Sequence, residues 1–260
     1  MNCIFICVFN QIEYVDMLVL LMESIFFFGK LDDNTSLLIY TSTSFMELIK
    51  RNNNFKSEKV QFEINDTYND IYSSCRARLD FFRISSVYKY NKILYLDTDI
   101  LVKGDINRVF DVCKKDILYA LGEGQITNYE WGDSLFGEEA SNYPDKTAFS
   151  SGILLFYNCE KIKTLFMIIN EDMTKRYHSF YDQPYIVYNA FKYNLYNNTD
   201  LKAYVANNDE NIFNDIVIHH FPSGPGIHGP KINVMTSFLS RLRLIKNPYI
   251  FRIPRERSKE

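Results

Sequence analysis

The sequence predicts an α/β fold built on a single open, mostly parallel sheet with helices on both faces. Three observations lead there. The order strand, helix, strand repeats through the first hundred residues. Several strand runs, Ile4 to Phe9 and Ile93 to Leu96 among them, are short and apolar, as buried strands are. A chain of 260 residues with 47% hydrophobic and 23% charged side chains can fill a sizeable core, and open α/β folds reach that length as one unit.

Ile4 to Phe9 reads as a first buried strand, and Tyr14 to Phe28 as a helix ended by Gly29. Ser36 to Tyr40 and Val60 to Ile64 read as two more strands, with the polar run Arg51 to Ser57 between them. From Cys75 to Tyr90 the apolar Leu79, Phe82 and Val87 and the basic Arg76, Arg78 and Arg83 recur at helical spacing. Lys92 to Leu96 is a strand that runs into a carboxylate turn. Ile117 to Leu121 is the next strand, followed by a long polar loop, Gly122 to Lys146, that carries the only tryptophan, Trp131. Loops of that length inside a domain tend to be functional, and a lid is expected here. Phe149 to Tyr157 and Asp215 to His219 read as strands, Glu160 to Tyr177 and Asp182 to Phe191 as helices, and Ile232 to Leu242 as a closing helix after a Gly/Pro-rich turn.

Composition removes several function classes. With 29 basic against 32 acidic side chains the net charge is -3, so no global field recruits nucleic acid. Five cysteines, Cys3, Cys7, Cys75, Cys113 and Cys159, are spread without a CxxC pair, which fits reduced thiols. The apolar start superficially suggests a signal peptide, yet no basic region precedes it, Glu13, Asp16 and Glu23 interrupt it, and no run reaches the roughly 18 apolar residues of a membrane span. A cytoplasmic protein with no transmembrane segment is expected. Residues 241–260 form a basic tail (Arg241, Arg243, Lys246, Arg252, Arg255, Arg257, Lys259) that offers a contact to a membrane or partner, although a solvated terminus is the plainer reading.

The chemistry concentrates in Ile93-Leu94-Tyr95-Leu96-Asp97-Thr98-Asp99-Ile100. Residues two apart project to the same side of a strand, so Asp97 and Asp99 can converge on one point at the strand's carboxyl end, where open parallel sheets bind ligands. Two carboxylates there without a basic neighbour repel, and a divalent cation relieves the repulsion. Hard oxygen ligands favour Mg²⁺ or Mn²⁺, and a histidine in the same shell favours Mn²⁺. The bland reading is a pair of turn carboxylates capping the next helix.

Around that turn the sequence resembles glycosyltransferase family 8, the glycogenin-like and bacterial galactosyltransferase-like retaining enzymes. The resemblance rests on Arg76-Ala77-Arg78-Leu79-Asp80-Phe81-Phe82-Arg83 followed by Lys92 to Asp99, then Phe149-Ser150-Ser151-Gly152-Ile153, Asp182-Gln183-Pro184, and His219-His220-Phe221 with glycines and Lys231 after it. It spans roughly residues 4 to 235. It implies a glycosyltransferase A-type nucleotide-sugar-binding fold over 1–240, with a nucleotide-binding half of about 1–105 and an acceptor-side half of about 106–240. It implies a metal held by Asp97, Asp99 and His220, with His219 as the competing ligand. The nucleotide base is implied to lie against Val8, Asn10, Gln11 and Tyr14 at the end of the first strand, with Arg78 facing the donor and Thr98 between the carboxylates. Ser150, Ser151 and Gly152 would line the sugar, and Ser150 stands where the family usually has asparagine. Asp182 and Gln183 match the pair near the anomeric carbon. Gly226 and Lys231, in a turn longer than the family's, would meet the leaving phosphate.

The reaction this implies is retaining transfer of a hexosyl group from a UDP-sugar to an acceptor hydroxyl, dependent on Mn²⁺ or Mg²⁺. The acceptor would be a carbohydrate or a protein- or lipid-linked group, and a homo-oligomer is left open. Retention could proceed by same-face attack guided by the departing phosphate or through an adduct with Gln183 or Asp182; an amide is a poor nucleophile, which favours the first. Two other readings remain beside it: a sugar-nucleotide-binding protein of the same fold without turnover, and an aspartate-nucleophile phosphatase, whose motif normally has threonine or valine where Leu101 sits.

Overall fold

The computed structural model describes residues 1–52, 58–222 and 228–246. The expected phosphate contact Gly226 and residues 247–260 of the basic tail lie outside the described residues. The chain begins with β1 (Asn2–Val8), α1 (Glu13–Phe28), β2 (Thr35–Thr41), α2 (Thr43–Lys50), β3 (Val60–Ile64) and α3 (Ile71–Cys75). It continues through β4 (Lys92–Leu96), β5 (Ile100–Val102), β6 (Leu118–Gln125), α4 (Asp133–Phe136), β7 (Thr147–Tyr157), α5 (Glu160–Lys175), α6 (Gln183–Lys192), β8 (Tyr196–Asn197), β9 (Val205–Asn207), β10 (Ile218–His220) and α7 (Gly229–Lys246).

Seven strands form the main sheet in the order β3-β2-β1-β4-β7-β6-β8. The first four run parallel, β7 is antiparallel to both β4 and β6, and β8 is parallel to β6. The sheet is therefore mixed, with its parallel half at the N-terminal end. The expected single sheet is joined by a second, three-stranded one in the order β5-β10-β9. Its strands have three residues each; β10 meets the expected strand Asp215 to His219, while β5 and β9 are too short to carry a period that a sequence could display.

Alternation along the central strands explains why they read as continuous apolar runs. Cys3, Phe5, Ile93, Tyr95, Leu154 and Phe156 enter one core, under α5 and α6, while Ile4, Ile6, Leu94, Leu96, Ile153 and Leu155 enter the other, under α1. Both faces are covered, so neither parity of residue can be polar. Ser24, buried in α1, shows how the second sheet is tied to this layer: its hydroxyl donates to the Leu21 carbonyl and accepts from the Val102 amide of β5 at 2.9 Å.

Two segments differ from their expected form. The run from Arg76 to Lys89 folds as 3₁₀ turns, Arg76–Arg83 and Ser85–Lys89, and not as a continuous α-helix. Residues 122–146 are not a polar loop. β6 extends to Gln125, short helices follow, and Ile126, Trp131, Phe136 and Ala140 are buried in the core with Tyr185 and Phe191. Four buried apolar anchors make this stretch a packed wall in place of the expected lid.

Candidate active site

The site forms where β4 ends. Asp97-Thr98-Asp99 lies in the link between β4 and β5, so the expected strand alternation does not aim its carboxylates; main-chain bonds do. The Asp97 amide donates to the Gly152 carbonyl at 2.8 Å, and the Phe221 amide donates to the Asp99 carbonyl at 2.9 Å. The element that follows is β5, a strand, so these carboxylates cap no helix. β10 brings His220 to the same point. Asp97, Asp99 and His220 offer ligand atoms that all lie within 4.8 Å of one another.

The adjacent histidines take opposite directions, as neighbours on a strand must. His219 is fully buried, its Nδ1 is 2.6 Å from the Asp209 carbonyl and its ring packs 4.6 Å from that of Phe238. His220 places Nε2 3.3 Å from Asp99 Oδ1 and Nδ1 2.9 Å from Asn207 Oδ1. Gly152 presses on this cluster from β7. A Cβ there would sit 2.5 Å from His220 Cε1, 2.7 Å from its Nε2 and 3.0 Å from Asp97 Oδ2. Gly152→Ala is therefore expected to displace the His220 ring and lower Mn²⁺ affinity by about 10- to 100-fold, the range seen when a ligand's support is disturbed. Electron paramagnetic resonance titration of Mn²⁺ checks it, and an affinity equal to the parent's would contradict it.

Basic side chains also reach the turn, contrary to the expectation of a carboxylate pair without basic neighbours. Lys231, in the first turn of α7, is 9% exposed and places Nζ 2.6 Å from Asp99 Oδ2. Arg78 is buried between Asp182, whose Oδ2 is 2.9 Å from its Nε, and Asp97, whose Oδ1 is 3.4 Å from its Nη2. The Asp182 contact is an ion pair and not an aligned hydrogen bond, because the Nε hydrogen points to the Cys75 carbonyl and Asp182 Oδ2 keeps no hydrogen-bond partner. Arg78 also donates to the Ser151 carbonyl and lies over the Tyr95 ring, 4.7 Å from its centroid. Tyr95 in turn donates its hydroxyl to Asp97 Oδ1. Burial pushes the Asp97 carboxyl up, with Arg78 pulling against it and Asp99 adding to it. Burial likewise lifts Asp182 to about 6, with Arg78 opposing. Asp182 sits at the start of α6 yet makes no side-chain cap bond, so helix capping does not account for it. Gln183 Oε1 accepts from the Ser151 amide at 3.2 Å, and its Nε2 donates to the Glu130 carbonyl at 3.4 Å.

These groups line a cleft of about 400 Å³ in which five carboxylates (Asp97, Asp99, Glu123, Glu130, Asp182) face two cations (Arg78, Lys231). An anionic ligand would meet net repulsion in such a cleft, and a divalent cation would reverse it. Asp99 Oδ1, buried and without a hydrogen-bond partner, is a free lone-pair site aimed into the cluster. Two hard carboxylates and an imidazole fit Mn²⁺ or Mg²⁺.

The model of the family described as glycosyl transferase family 8 matches residues 33–221, more than half of the chain. The chain belongs to that family. It is a glycosyltransferase, and its mixed α/β fold is that of the glycosyltransferase A type. No curated protein matches the sequence. Solved structures match its fold at low identity. One is the apo structure of the bifunctional glycosyltransferase WbbM, at a TM-score of 0.64 and 13% identity, covering 96% of this chain and 51% of that one. The chain thus spans about half the length of WbbM. Another is the galactosyltransferase LgtC in complex with donor and acceptor sugar analogues, at 0.58 and 13%, covering 93% of this chain and 96% of that one. An active-site mutant of LgtC matches at 0.60, 13%, and the same coverages.

Within this family 8 chain, Tyr14, Arg78, Asp97, Thr98, Asp99, Ser150, Ser151, Gly152, Asp182, Gln183, His220 and Lys231 all line the one cleft. Three expected donor contacts do not. Val8 points into the core on the α1 side of the sheet, because the strand's alternation turns Cys7 and Phe9 to the cleft instead. Asn10 bends the chain with φ 73°, and Gln11 bonds to Nε2 of His228, whose ring meets Tyr14 at 4.7 Å. That contact helps dock the start of α7, and with it Lys231, on the loop after β1. The sequence did not single out Tyr95, which bonds its near neighbour Asp97, or Asn207 and Glu123, whose roles arise only when distant segments meet. Tyr181, at φ 55° immediately before Asp182, was visible only in the backbone; a bulky residue in that region costs about 1–3 kcal/mol and marks a constrained approach to the site.

Proposed function

We propose that this glycosyltransferase moves a hexosyl group from a UDP-sugar to an acceptor hydroxyl with retention of anomeric configuration, and that the reaction depends on Mn²⁺. The observation that carries the reading is the convergence of Asp97, Asp99 and His220 in an acid-lined cleft. These three would hold the cation, which when bound supplies Lewis-acid neutralisation of the donor's diphosphate.

The chain's own residues supply the rest. Lys231 offers a point charge to the leaving phosphate from beside Asp99. Arg78 spends its donors on Ser151 and its charge on Asp97 and Asp182, so its part is to hold those carboxylates in place and not to grip the diphosphate with a free fork. Gln183 ties β7 to the 129–131 wall beside the sugar subsite formed by Ser150, Ser151 and Gly152. An amide held in this way positions the sugar, and same-face attack on the anomeric carbon needs no protein nucleophile. Residues of the N-terminal half, about 1–105, would bind the nucleotide and those of 106–240 the acceptor, a carbohydrate or a protein- or lipid-linked hydroxyl. Among the described residues no helix is long and apolar enough to cross a membrane.

A panel of UDP-sugars incubated with Mn²⁺ and scored for UDP release tests the reading. Release above buffer background for one sugar names the donor. Donor binding with no release for any sugar would replace the proposal by a binding protein without turnover.

A further inference from the structure

We infer that Asn207 and Glu123 form a relay that fixes the ring tautomer of His220, so that His220 presents a bare Nε2 to Asp97 and Asp99. The inference deepens the metal reading above and rests on it for its functional meaning, but its geometry stands independently. β9 and β10 run side by side with His220 paired to Asn207, so the two residues are neighbours across the small sheet. The third member arrives from the main sheet. The pairing of β6 with β7 shifts register between Gly122 and Gln125, around Glu123. Such irregularities re-aim side chains beside active sites. Gly124 makes this one possible: its φ is +69°, and a Cβ there would overlap the Trp131 indole, 2.0 Å from Nε1.

The hydrogen-bond polarity then follows in one direction. A carboxylate only accepts, so the Asn207 Nδ2 group, which bonds to Glu123 Oε2, must be the donor. That fixes which way the Asn207 amide faces and leaves Oδ1 toward His220, 2.9 Å from Nδ1. An amide oxygen only accepts, so Nδ1 carries the hydrogen. In a neutral imidazole the other nitrogen is then bare. That nitrogen is Nε2, 3.3 Å from Asp99 Oδ1, and the two form no hydrogen bond. Two lone pairs facing each other in a buried site are a poor contact by themselves and a good pair of ligands for a shared cation. Asn207 and Glu123 are therefore positioning residues that act through His220.

The test uses the full chain with two variants. Asn207→Leu removes the relay, while Glu123→Gln replaces the acceptor-only carboxylate by an amide that can also donate and so loosens the orientation of Asn207. In metal-free protein labelled with ¹⁵N-histidine, studied at alkaline pH, His220 is identified as the signal lost in His220→Gln. The parent should show a pyridine-type Nε2 and a pyrrole-type Nδ1, Asn207→Leu should lose that preference, and Glu123→Gln should weaken it. Mn²⁺ affinity, read by electron paramagnetic resonance, should fall by about 10- to 100-fold in Asn207→Leu and by a smaller factor in Glu123→Gln. Thermal unfolding reports that each variant is folded. A parent with its hydrogen on Nε2, or an Asn207→Leu protein with unchanged tautomer and unchanged affinity, would overturn the relay. If the parent binds no Mn²⁺, the metal reading of the site fails, and the tautomer signal alone upholds or overturns the relay.

Discussion

Replacing Asp99 with alanine is expected to lower Mn²⁺-dependent UDP release by about 10³-fold or more. A cation clamp on a leaving diphosphate contributes several kcal/mol to the barrier, and each 1.4 kcal/mol or so is a factor of ten in rate. Asp99 Oδ1 is a buried carboxylate oxygen with no hydrogen-bond partner, so the loss of Asp99 removes a ligand that no neighbour replaces. The residue lies in a turn and not in the apolar core, yet it is 7% exposed and pairs with the buried Lys231. Asp99→Ala therefore leaves a buried ammonium unpaired, which is itself destabilising. Asp99→Asn keeps an oxygen that can accept from Lys231 and separates the two effects. Turnover assays at saturating Mn²⁺, alongside thermal melts, decide the matter. A folded Asp99→Asn protein that turns over within tenfold of the parent would contradict the assignment.

Lys231→Ala should lower turnover by about 10²- to 10³-fold while changing UDP affinity by less than about tenfold, the signature of a contact that matters most as charge develops on the leaving group. A solvated lysine at a helix start would change neither. The structure weighs against that reading, because Lys231 is buried and held 2.6 Å from Asp99. Steady-state kcat together with competitive inhibition by UDP separates the two, and a turnover within twofold of the parent would mean that the phosphate contact lies elsewhere in the lengthened turn.

Much of the fold was legible because it rests on strong local signals. β1, β4 and the second half of β7 (Ile153 to Tyr157) are largely apolar since both faces of the central sheet are covered, and α1 ends at Gly29 as its pattern indicated. Short elements were not legible. β5 and β9 exist because partner strands supply their hydrogen bonds, and no period can develop in three residues, whereas β10 falls on the expected strand Asp215 to His219, shifted to Ile218–His220. The segment 122–146 was misjudged since its polar composition hides four well-spaced apolar anchors. At the site, motif residues such as Asp97, Gly152 and Asp182 were readable from spacing and resemblance. The residues that orient them were not: Tyr95 bonds Asp97 across two positions, Asn207 reaches His220 across a strand pair, and Glu123 depends on an irregularity in β6. Nor could the sequence show that Arg78 would be engaged by two carboxylates, or that Cys7 and Phe9 would face the cleft in place of Val8.

The central claim is that the donor's diphosphate binds through a divalent cation held by Asp97, Asp99 and His220. Calorimetric titration of UDP into the unmutated protein, once with Mn²⁺ and once with a chelator, measures it most directly. The account predicts tight binding with Mn²⁺ and binding weaker by at least about 100-fold without it, since five carboxylates in the cleft would otherwise face the diphosphate. Equal UDP affinity under the two conditions would contradict it.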